Sequence, residues 1–334
     1  MERYDITIAN VEGAVPVRTV EKGVSLAIGF FDGVHLGHRE VIRQAVTLAK
    51  EKGLVPAVMT FDPHPRVVLG HGSQYDTLLT PLSDKLLLFA EMGVEEAYII
   101  RFNKAFSEVT ADRFVETLIL PLGVKATTVG FDFAFGHRGR GNAETLRTKG
   151  NGEIEVRVVS PVYLDGEKVS STRIRERLEE GECAAAGELM DRPYVLKGEV
   201  VHGDARGRQL GYPTANLRLE HPYVVPRTGV YAVRIDLLTE SGETESRHDG
   251  VLNVGFRPTF DAPGGALKLE AHLFDFDGDL YGRRLALRFH AFLRAEKKFE
   301  SIDQLISQIG LDSEQARQLL SGRPSSESVA PGNA

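Results

Sequence analysis

Short apolar segments alternate with helix-like segments over about the first 190 residues of the chain. The apolar segments, which are typical of buried strands, are residues 25–30, 55–61, 97–102, 126–130 and 154–159. The segments with helical periodicity are residues 38–51, 82–92, 111–120 and 143–148. Because strands that alternate with helices form βαβ units, we predict an α/β domain here, with a parallel sheet between two layers of helices.

Capping residues indicate where several of these helices should begin and end. Thr80 and Pro81 predict a cap followed by proline in the first turn, and Gly93 predicts the end of that helix. Thr110 and Asn142 are predicted to be the N-caps of the next two helices. In sheets of this kind, ligands bind beyond the carboxyl ends of the strands, where the strand order changes direction. The segment that follows the first predicted strand is therefore expected at a ligand-binding edge.

The pattern changes to strands without intervening helices after Pro193. Residues 194–202, 229–237, 251–254, 267–274 and 285–293 alternate apolar and polar positions, with turns rich in Gly, Pro and Asp between them. This pattern predicts an antiparallel β-barrel, closed by a C-terminal helix at about residues 302–309. We therefore expect a first domain at residues 1–190, a second at 194–320, and a disordered tail at 321–334, where small and polar residues dominate.

Composition narrows the class of protein. The chain has 334 residues, of which 42% are hydrophobic and 26% charged, as in ordinary soluble globular proteins. No apolar run approaches the ~20 residues that span a bilayer, and the first residues lack the basic-then-apolar order of a secretory signal. The lone Cys183 cannot form an intramolecular disulfide. A cytoplasmic protein without a membrane partner is therefore expected, and the net charge of -7 argues against nucleic-acid binding.

Two histidines follow the first predicted strand, where the next helix is expected to start. His35 and His38 lie on either side of Gly37, with the helix predicted from His38 onward. A helix start offers free N–H groups to phosphate, Gly37 would let a ligand approach the backbone, and imidazoles can donate hydrogen bonds to phosphoryl oxygens. The arrangement suits attack on the α-phosphate of a nucleotide. By itself it fits a helix cap equally well, whereas zinc is disfavoured because Cys183 is distant and no third ligand is near.

Two further segments carry polar residues that could reach the same edge. Ser171 and Thr172 precede a predicted helix, with Arg175 one turn further along, so they could bind the β- and γ-phosphates. An N-cap with a solvated arginine is the alternative. Asp132 follows the fourth predicted strand and could contact substrate, although the loop at 130–136 could also have only a structural role.

A second group of candidate residues lies in the β region. Gly203 and Gly207 would permit close backbone approach to phosphates, and Thr214 and Asn216 carry oxygens suited to Mg²⁺. The chain has no P-loop motif, so a P-loop kinase is excluded. Glu270 alternates with leucines along a predicted strand, which would make it a fixed general base for a hydroxyl. The alternatives are a surface loop and a solvated glutamate.

Together these motifs resemble those of a known family, in the same order along the chain. From about residue 24 to residue 309, the sequence is similar to the prokaryotic bifunctional riboflavin kinase/FMN adenylyltransferases, also called FAD synthetases. The connecting segments 79–85 and 102–106 share the resemblance, and Asn253 matches without an assigned role. The resemblance implies a Rossmann-like nucleotidyltransferase domain followed by a riboflavin kinase barrel. It implies that riboflavin is phosphorylated by ATP to FMN, and that FMN is then adenylylated by ATP to FAD with release of pyrophosphate.

The resemblance also implies roles for particular residues. In the first domain, ATP would be held for adenylyl transfer by His35, His38, Asp132, Ser171, Thr172 and Arg175. In the second, Mg²⁺ and the ATP phosphates would be held by Thr214 and Asn216, near the glycines Gly203 and Gly207, while Glu270 would activate the ribityl 5′-hydroxyl. His35, His38 and Glu270 would be catalytic. The implied cofactor is Mg²⁺, the substrates and products are ATP, riboflavin, FMN and FAD, and a homo-oligomer is compatible with the family. Activity in one half only, or a flavin-sensing binding protein, are the open alternatives.

Overall fold

The chain forms two compact units. The computed structural model describes residues 1–12, 21–70, 72–202, 212–257 and 266–322. The units are Met1–Ile174 and Arg175–Ala334. They divide upstream of residues 191–193, where the sequence pattern places the domain boundary, and that boundary stays a prediction. Gly203, Gly207 and residues 323–334 of the expected tail lie outside the described residues.

A six-stranded parallel sheet forms the centre of the first unit, in the order β1-β4-β3-β2-β5-β6. The strands are β1 (Glu2–Ile6), β2 (Val24–Ile28), β3 (Val55–Asp62), β4 (Glu96–Arg101), β5 (Val124–Gly130) and β6 (Glu155–Val159). The predicted parallel α/β sheet and its five strands are confirmed. The sequence pattern does not predict β1, because this edge strand is mostly charged and exposed, and only its last residue, Ile6, is fully buried.

Helices cover both faces of the sheet. They are α1 (Ile8–Val11), α2 (Leu36–Lys52), α3 (Pro65–Val68), α4 (Leu82–Glu91), α5 (Lys104–Ser107), α6 (Ala111–Phe114), α7 (Ala143–Lys149) and α8 (Ser171–Glu180). A π-helix (Val115–Ile119) continues α6, 3₁₀ turns lie at Ser73–Tyr75 and His137–Gly139, and β7 (Tyr163–Leu164) and β8 (Glu167–Lys168) form a hairpin. The side chains of β2 alternate between two cores: Leu26 packs with the α6 side and Ala27 with α2 and α4.

The predicted N-caps are partly confirmed. The Thr110 hydroxyl accepts a hydrogen bond from Arg113 N, and the Asn142 side chain accepts from the backbone of α7. The Thr80 prediction is wrong. Pro81 is the N-cap of α4, and the buried Thr80 instead donates its backbone N–H to Asp32 Oδ1 at 3.0 Å. Thr80 lies one residue before the cap, and its backbone bond to Asp32 joins this segment to the loop after β2, a contact that sequence spacing cannot reveal.

The strand order places a switch point beside β2. From β2 the chain moves outward through β3 to β4, and β5 then returns to the opposite side of β2. The loops that leave the carboxyl ends of β2 and β5 therefore flank the crevice in which ligands of such sheets bind. His35 lies in the first of these loops and Asp132 in the second.

A closed antiparallel barrel forms the second unit, together with α8 from Arg175 onward and α9 (Cys183–Met190). The strands are β9 (Tyr194–Val201), β10 (Ala215–Leu219), β11 (Gly229–Leu238), β12 (Thr244–Arg257), β13 (Ala266–Leu273) and β14 (Arg284–Arg294), closed in the order β10-β13-β12-β11-β14-β9. The predicted barrel is confirmed. The sequence pattern does not predict β10, since its five residues follow a Gly- and Pro-rich segment.

The C-terminal helix α10 (Ile302–Ser321) is longer than predicted and includes the first residue of the expected tail. The sequence prediction stops at residue 309 because Gly310 is unfavourable within a helix. Contacts with the barrel stabilise the helix beyond Gly310. The buried Asp312 accepts hydrogen bonds from Arg294 of β14, and Ala316 and Leu320 pack on the outer face of the barrel.

Candidate active sites

The loop after β2 is held by hydrogen bonds from other segments of the first unit. Asp32 is buried, its Oδ1 accepts from Thr80 N at 3.0 Å, and its carbonyl accepts from Ser171 Oγ at 2.8 Å. Phe31 and Val34 have φ values of 57° and 41°, a backbone region that is unfavourable for bulky side chains. Such conformations persist only where surrounding contacts determine them. The loop is therefore a defined structure that leads directly into His35.

His35 caps α2, which begins at Leu36, two residues before the predicted start. Its Nδ1 accepts a hydrogen bond from His38 N at 3.2 Å. Because Nδ1 is the acceptor, the neutral ring carries its proton on Nε2, which makes Nε2 a hydrogen-bond donor. The two imidazole rings stack, with their centroids 3.5 Å apart and their planes 17° from parallel. The cap interpretation and the predicted donor role therefore describe different nitrogens of the same ring.

Gly37 leaves room for the stacked His35 ring. A Cβ atom at this position would lie 3.2 Å from His35 Cε1, which is closer than the ring would tolerate without moving. From the sequence, Gly37 is expected to let a ligand approach the backbone closely. The structure adds the packing of the His35 ring over the start of the helix.

The start of α8 meets the same loop. Ser170 Oγ accepts from Arg173 N at 3.2 Å, so Ser170 performs the capping. The Ser171 hydroxyl instead donates to Asp32 O, a residue 139 positions earlier in the chain. Thr172 is exposed beside it, and Arg175 lies one turn along the same helix, as the first residue of the second unit. Two motifs that are remote in sequence are therefore joined by one hydrogen bond.

Asp132 follows β5 and is exposed. Lys168 Nζ, at the end of β8, lies 3.5 Å from Asp132 Oδ2 and 4.3 Å from the centre of the Phe131 ring. Lys168 immediately precedes the segment that leads into α8, so a cation and an aromatic ring accompany Asp132 at this edge. Neither Lys168 nor Phe131 has a role predicted from the sequence, although Phe131 lies in the loop at 130–136.

Glu270 occupies the centre of a polar row on the outside of the barrel. It lies directly opposite Asn216 of β10 and opposite Asn253 of β12 in the strand register. Its neighbours in sequence, Leu269 and Ala271, are buried, so alternation directs Glu270 to the outer face. The predicted alternation away from the leucines is confirmed. The structure adds Asn253, for which the sequence offers no role.

Charged and polar side chains on the same face support this row. Lys268, two residues before Glu270, forms an ion pair with it at 2.7 Å, and both side chains are roughly three-quarters buried. His272, two residues after, donates from Nδ1 to Pro213 O at 2.9 Å, next to the exposed Thr214. No role for Lys268 or His272 is predicted from the sequence, although the two-residue period of a strand places both on the same face as Glu270.

Known proteins with similar sequences combine two enzyme activities in one chain. The FAD synthetase family model matches residues 17–173, and the riboflavin kinase family model matches residues 190–320. A bifunctional riboflavin kinase/FMN adenylyltransferase from Listeria monocytogenes is 41% identical over 87% of this chain and 91% of its own. The enzyme of the same description from Haemophilus influenzae is 39% identical over 92% of this chain and 97% of its own. The chain belongs to this family.

Membership establishes the function at the level of the whole chain. The chain has riboflavin kinase and FMN adenylyltransferase activity, and its substrates and products are riboflavin, FMN, FAD and ATP. The fold agrees with a crystal structure described as a macrolide-efflux protein from Streptococcus pneumoniae, with a TM-score of 0.83 and 34% identity over 94% of this chain and 99% of that one. Within the described ranges, no helix is long and apolar enough to cross a membrane.

Proposed function

We propose that FMN is adenylylated at the switch point beside β2. The observation that carries this assignment is the hydrogen bond from Ser171 to Asp32, which joins the start of α8 to the His35 loop. His35 and His38 donate to the α-phosphate oxygens of ATP. Ser171, Thr172, Arg175 and Asp132 contact the nucleotide, and the α8 N-terminus with Arg175 holds the phosphates that leave as pyrophosphate.

The chemistry at this site requires no general base. An oxygen of the FMN phosphate is already ionised, and it attacks the α-phosphorus in line as the bond to the bridging oxygen breaks. Negative charge grows on the α-phosphoryl oxygens and on the leaving pyrophosphate. Donors that are already oriented stabilise this charge without reorganisation, which is the main way in which a protein accelerates such a step.

Riboflavin is phosphorylated on the outer face of the barrel in the same proposal. Glu270 accepts the proton of the ribityl 5′-hydroxyl while the ribityl oxygen attacks the γ-phosphorus of ATP and ADP leaves. Lys268 lies beside Glu270, with its ammonium group 2.7 Å from a carboxylate oxygen. Gly203 and Gly207 complete the phosphate-binding segment in this proposal and lie outside the described residues.

Thr214 and Asn216 would hold Mg²⁺ together with ATP. A hydroxyl and an amide oxygen are hard ligands that suit this ion. Among the described residues, no three His, Cys, Asp or Glu side chains are grouped to hold a metal. The ion would therefore take its remaining ligands from phosphate and water, which is the usual arrangement for Mg²⁺ with nucleotides. It would neutralise charge on the phosphates.

Complementation between two variants tests the assignment of two separate sites. His35→Ala is expected to convert riboflavin to FMN and stop there, while Glu270→Gln is expected to convert supplied FMN to FAD but leave riboflavin unchanged. A mixture of the two proteins should make FAD from riboflavin, as separated by chromatography. Failure of the mixture, when each variant retains its remaining activity, would contradict the assignment. Chelation of Mg²⁺ should stop phosphorylation.

The wider setting is proposed from composition. With one cysteine and a net charge of -7, the chain is suited to a cytoplasmic role on small molecules, without a nucleic-acid or membrane partner. Cell fractionation and binding to nucleic acid and vesicles test this. Light scattering of the purified protein tests the homo-oligomer.

A further inference from the structure

Lys85 is a charged side chain buried inside the first unit. It lies on α4, one turn before the buried Phe89, and only 1% of its surface is exposed. Lysines are almost never fully buried, because removing an ammonium group from water is unfavourable. Burial lowers the pKa of Lys85 to about 8, and the charges of Asp32 and Asp62 offset only part of this effect. No substrate can reach the amine, so it is neither a nucleophile nor a phosphate ligand.

The amine holds the backbone two residues beyond the end of β2. Lys85 Nζ donates to the carbonyl of Phe30 at 3.0 Å and to Thr60 Oγ1 at 3.3 Å. The Thr60 hydroxyl in turn donates to the same Phe30 carbonyl at 2.9 Å. Lys85 Nζ also lies 4.1 Å from the centre of the Phe30 ring. Lys85 and Thr60 thus form a buried triangle of hydrogen bonds with the Phe30 carbonyl, which we call the Phe30 brace.

The braced residue immediately precedes the strained loop. Phe31 and Val34 adopt positive φ, a conformation that persists only where the surrounding structure enforces it. Asp32 is held from outside by Thr80 and Ser171, but those contacts determine only the middle of the loop. The Phe30 brace determines where the loop starts, and His35 follows at its end.

We propose that Lys85 and Thr60 are positioning residues for adenylyl transfer, acting through the placement of His35. This inference rests on the proposed role of His35. Its physical basis is that a misplacement of about 1 Å in a catalytic group can lower a rate about 100-fold. A lysine suits this position because its long side chain lets α4, on one face of the sheet, reach a carbonyl just beyond the end of β2.

Three variants test the brace, with riboflavin phosphorylation in the same protein as an internal control. Lys85→Met keeps length and removes the donors, and should lower the kcat of FMN adenylylation about 10- to 100-fold with KM values within about threefold. Thr60→Val is isosteric and should lower it about 3- to 10-fold. Thr127→Val is the matched control, because this equally buried threonine of β5 has no hydrogen-bond partner for its hydroxyl among the described residues. It should keep kcat within about twofold, and kinase activity should be unchanged in all three.

A double variant separates positioning from a general structural effect. If Lys85 acts through His35, the variant with both His35→Ala and Lys85→Met should be no slower than His35→Ala alone, whereas independent effects would multiply. Any one of three results would overturn the inference: effects that multiply in the double variant, wild-type kcat in both Lys85→Met and Thr60→Val, or equal loss of adenylylation and phosphorylation. If Lys85→Met does not fold, the inference is tested by comparing the kcat of FMN adenylylation in Thr60→Val with that in Thr127→Val. Wild-type adenylylation in His35→Ala would instead refute the proposed site.

Discussion

Replacing Lys85 by methionine should change how the stability of the first unit depends on pH. The pKa of Lys85 is about 8 in the folded chain, against 10.5 as its ordinary value, because the buried amine is removed from water. Below about pH 8 the amine is protonated in both the folded and the unfolded chain, so the buried charge destabilises the folded chain to its full extent. Between the two pKa values the unfolded chain binds more protons, so the free energy of unfolding rises with pH.

The size of the effect follows from the shift. A difference of about 2.5 pKa units corresponds to about 3 kcal/mol of penalty at neutral pH. Raising the pH from about 7 to about 9.5 should remove about 2 kcal/mol of it. The methionine variant lacks this dependence, and the hydrogen bonds that it loses add an offset that hardly varies with pH. The wild type should therefore gain about 2 kcal/mol relative to Lys85→Met over this range.

Urea denaturation followed by circular dichroism measures this difference at each pH. Subtracting the variant from the wild type cancels the titration of the other lysines and tyrosines, which both proteins share. A difference that stays constant within about 0.5 kcal/mol would refute the reasoning, since it would mean that the amine keeps its ordinary pKa in the folded state. Together with lower adenylylation, the expected result would show a buried charge that lowers stability in favour of activity.

Four further outcomes are expected. Glu270→Gln should lower the rate of riboflavin phosphorylation by ~10²–10⁴, while FMN supplied directly still becomes FAD. The control Glu199→Gln, the same change on β9, should affect neither activity. Phosphorylation within a few-fold of wild type in Glu270→Gln would contradict the role of Glu270 as a base. His35→Ala and His38→Ala should each lower adenylylation by ~10²–10³, so that FMN accumulates, and near-normal FAD synthesis in both would exclude the pair. Asp236→Asn should cost about 2–3 kcal/mol in urea denaturation, because two arginines lose their buried partner. Although burial alone would raise the pKa of Asp236, hydrogen bonds from Arg247 and Arg288 hold it below its ordinary 3.8, so this stabilisation is present above that pH and is lost only as the pH falls through the lowered pKa. A fragment of residues 175–322 should melt at a higher temperature than one of residues 194–320, because α9 buries Cys183 and Met190; equal melting temperatures would favour the predicted boundary.

The sequence by itself determined the types of most elements and the positions of the motifs. Apolar periodicity indicated both classes of fold, since a strand or helix must turn its apolar side chains to one face. Caps such as Thr110 and Asn142 were predictable because their partners lie within three residues along the chain. The same local logic failed at β1, where few residues are apolar, and at Gly310, where the barrel holds a helix together across an unfavourable residue.

Only the tertiary structure decided which polar groups meet. Ser171 donates to Asp32 across 139 residues, and Glu270 lies beside Asn216 and Asn253 only because of the register of three strands. In the sequence, Lys85 looks like an ordinary lysine of a predicted helix. Its burial follows from how α4 packs against the sheet. The physical reason is common to all three cases. The conformation of a residue depends largely on its neighbours in the chain, whereas the exposure and hydrogen-bond partner of a polar side chain are set by segments that only folding brings near it.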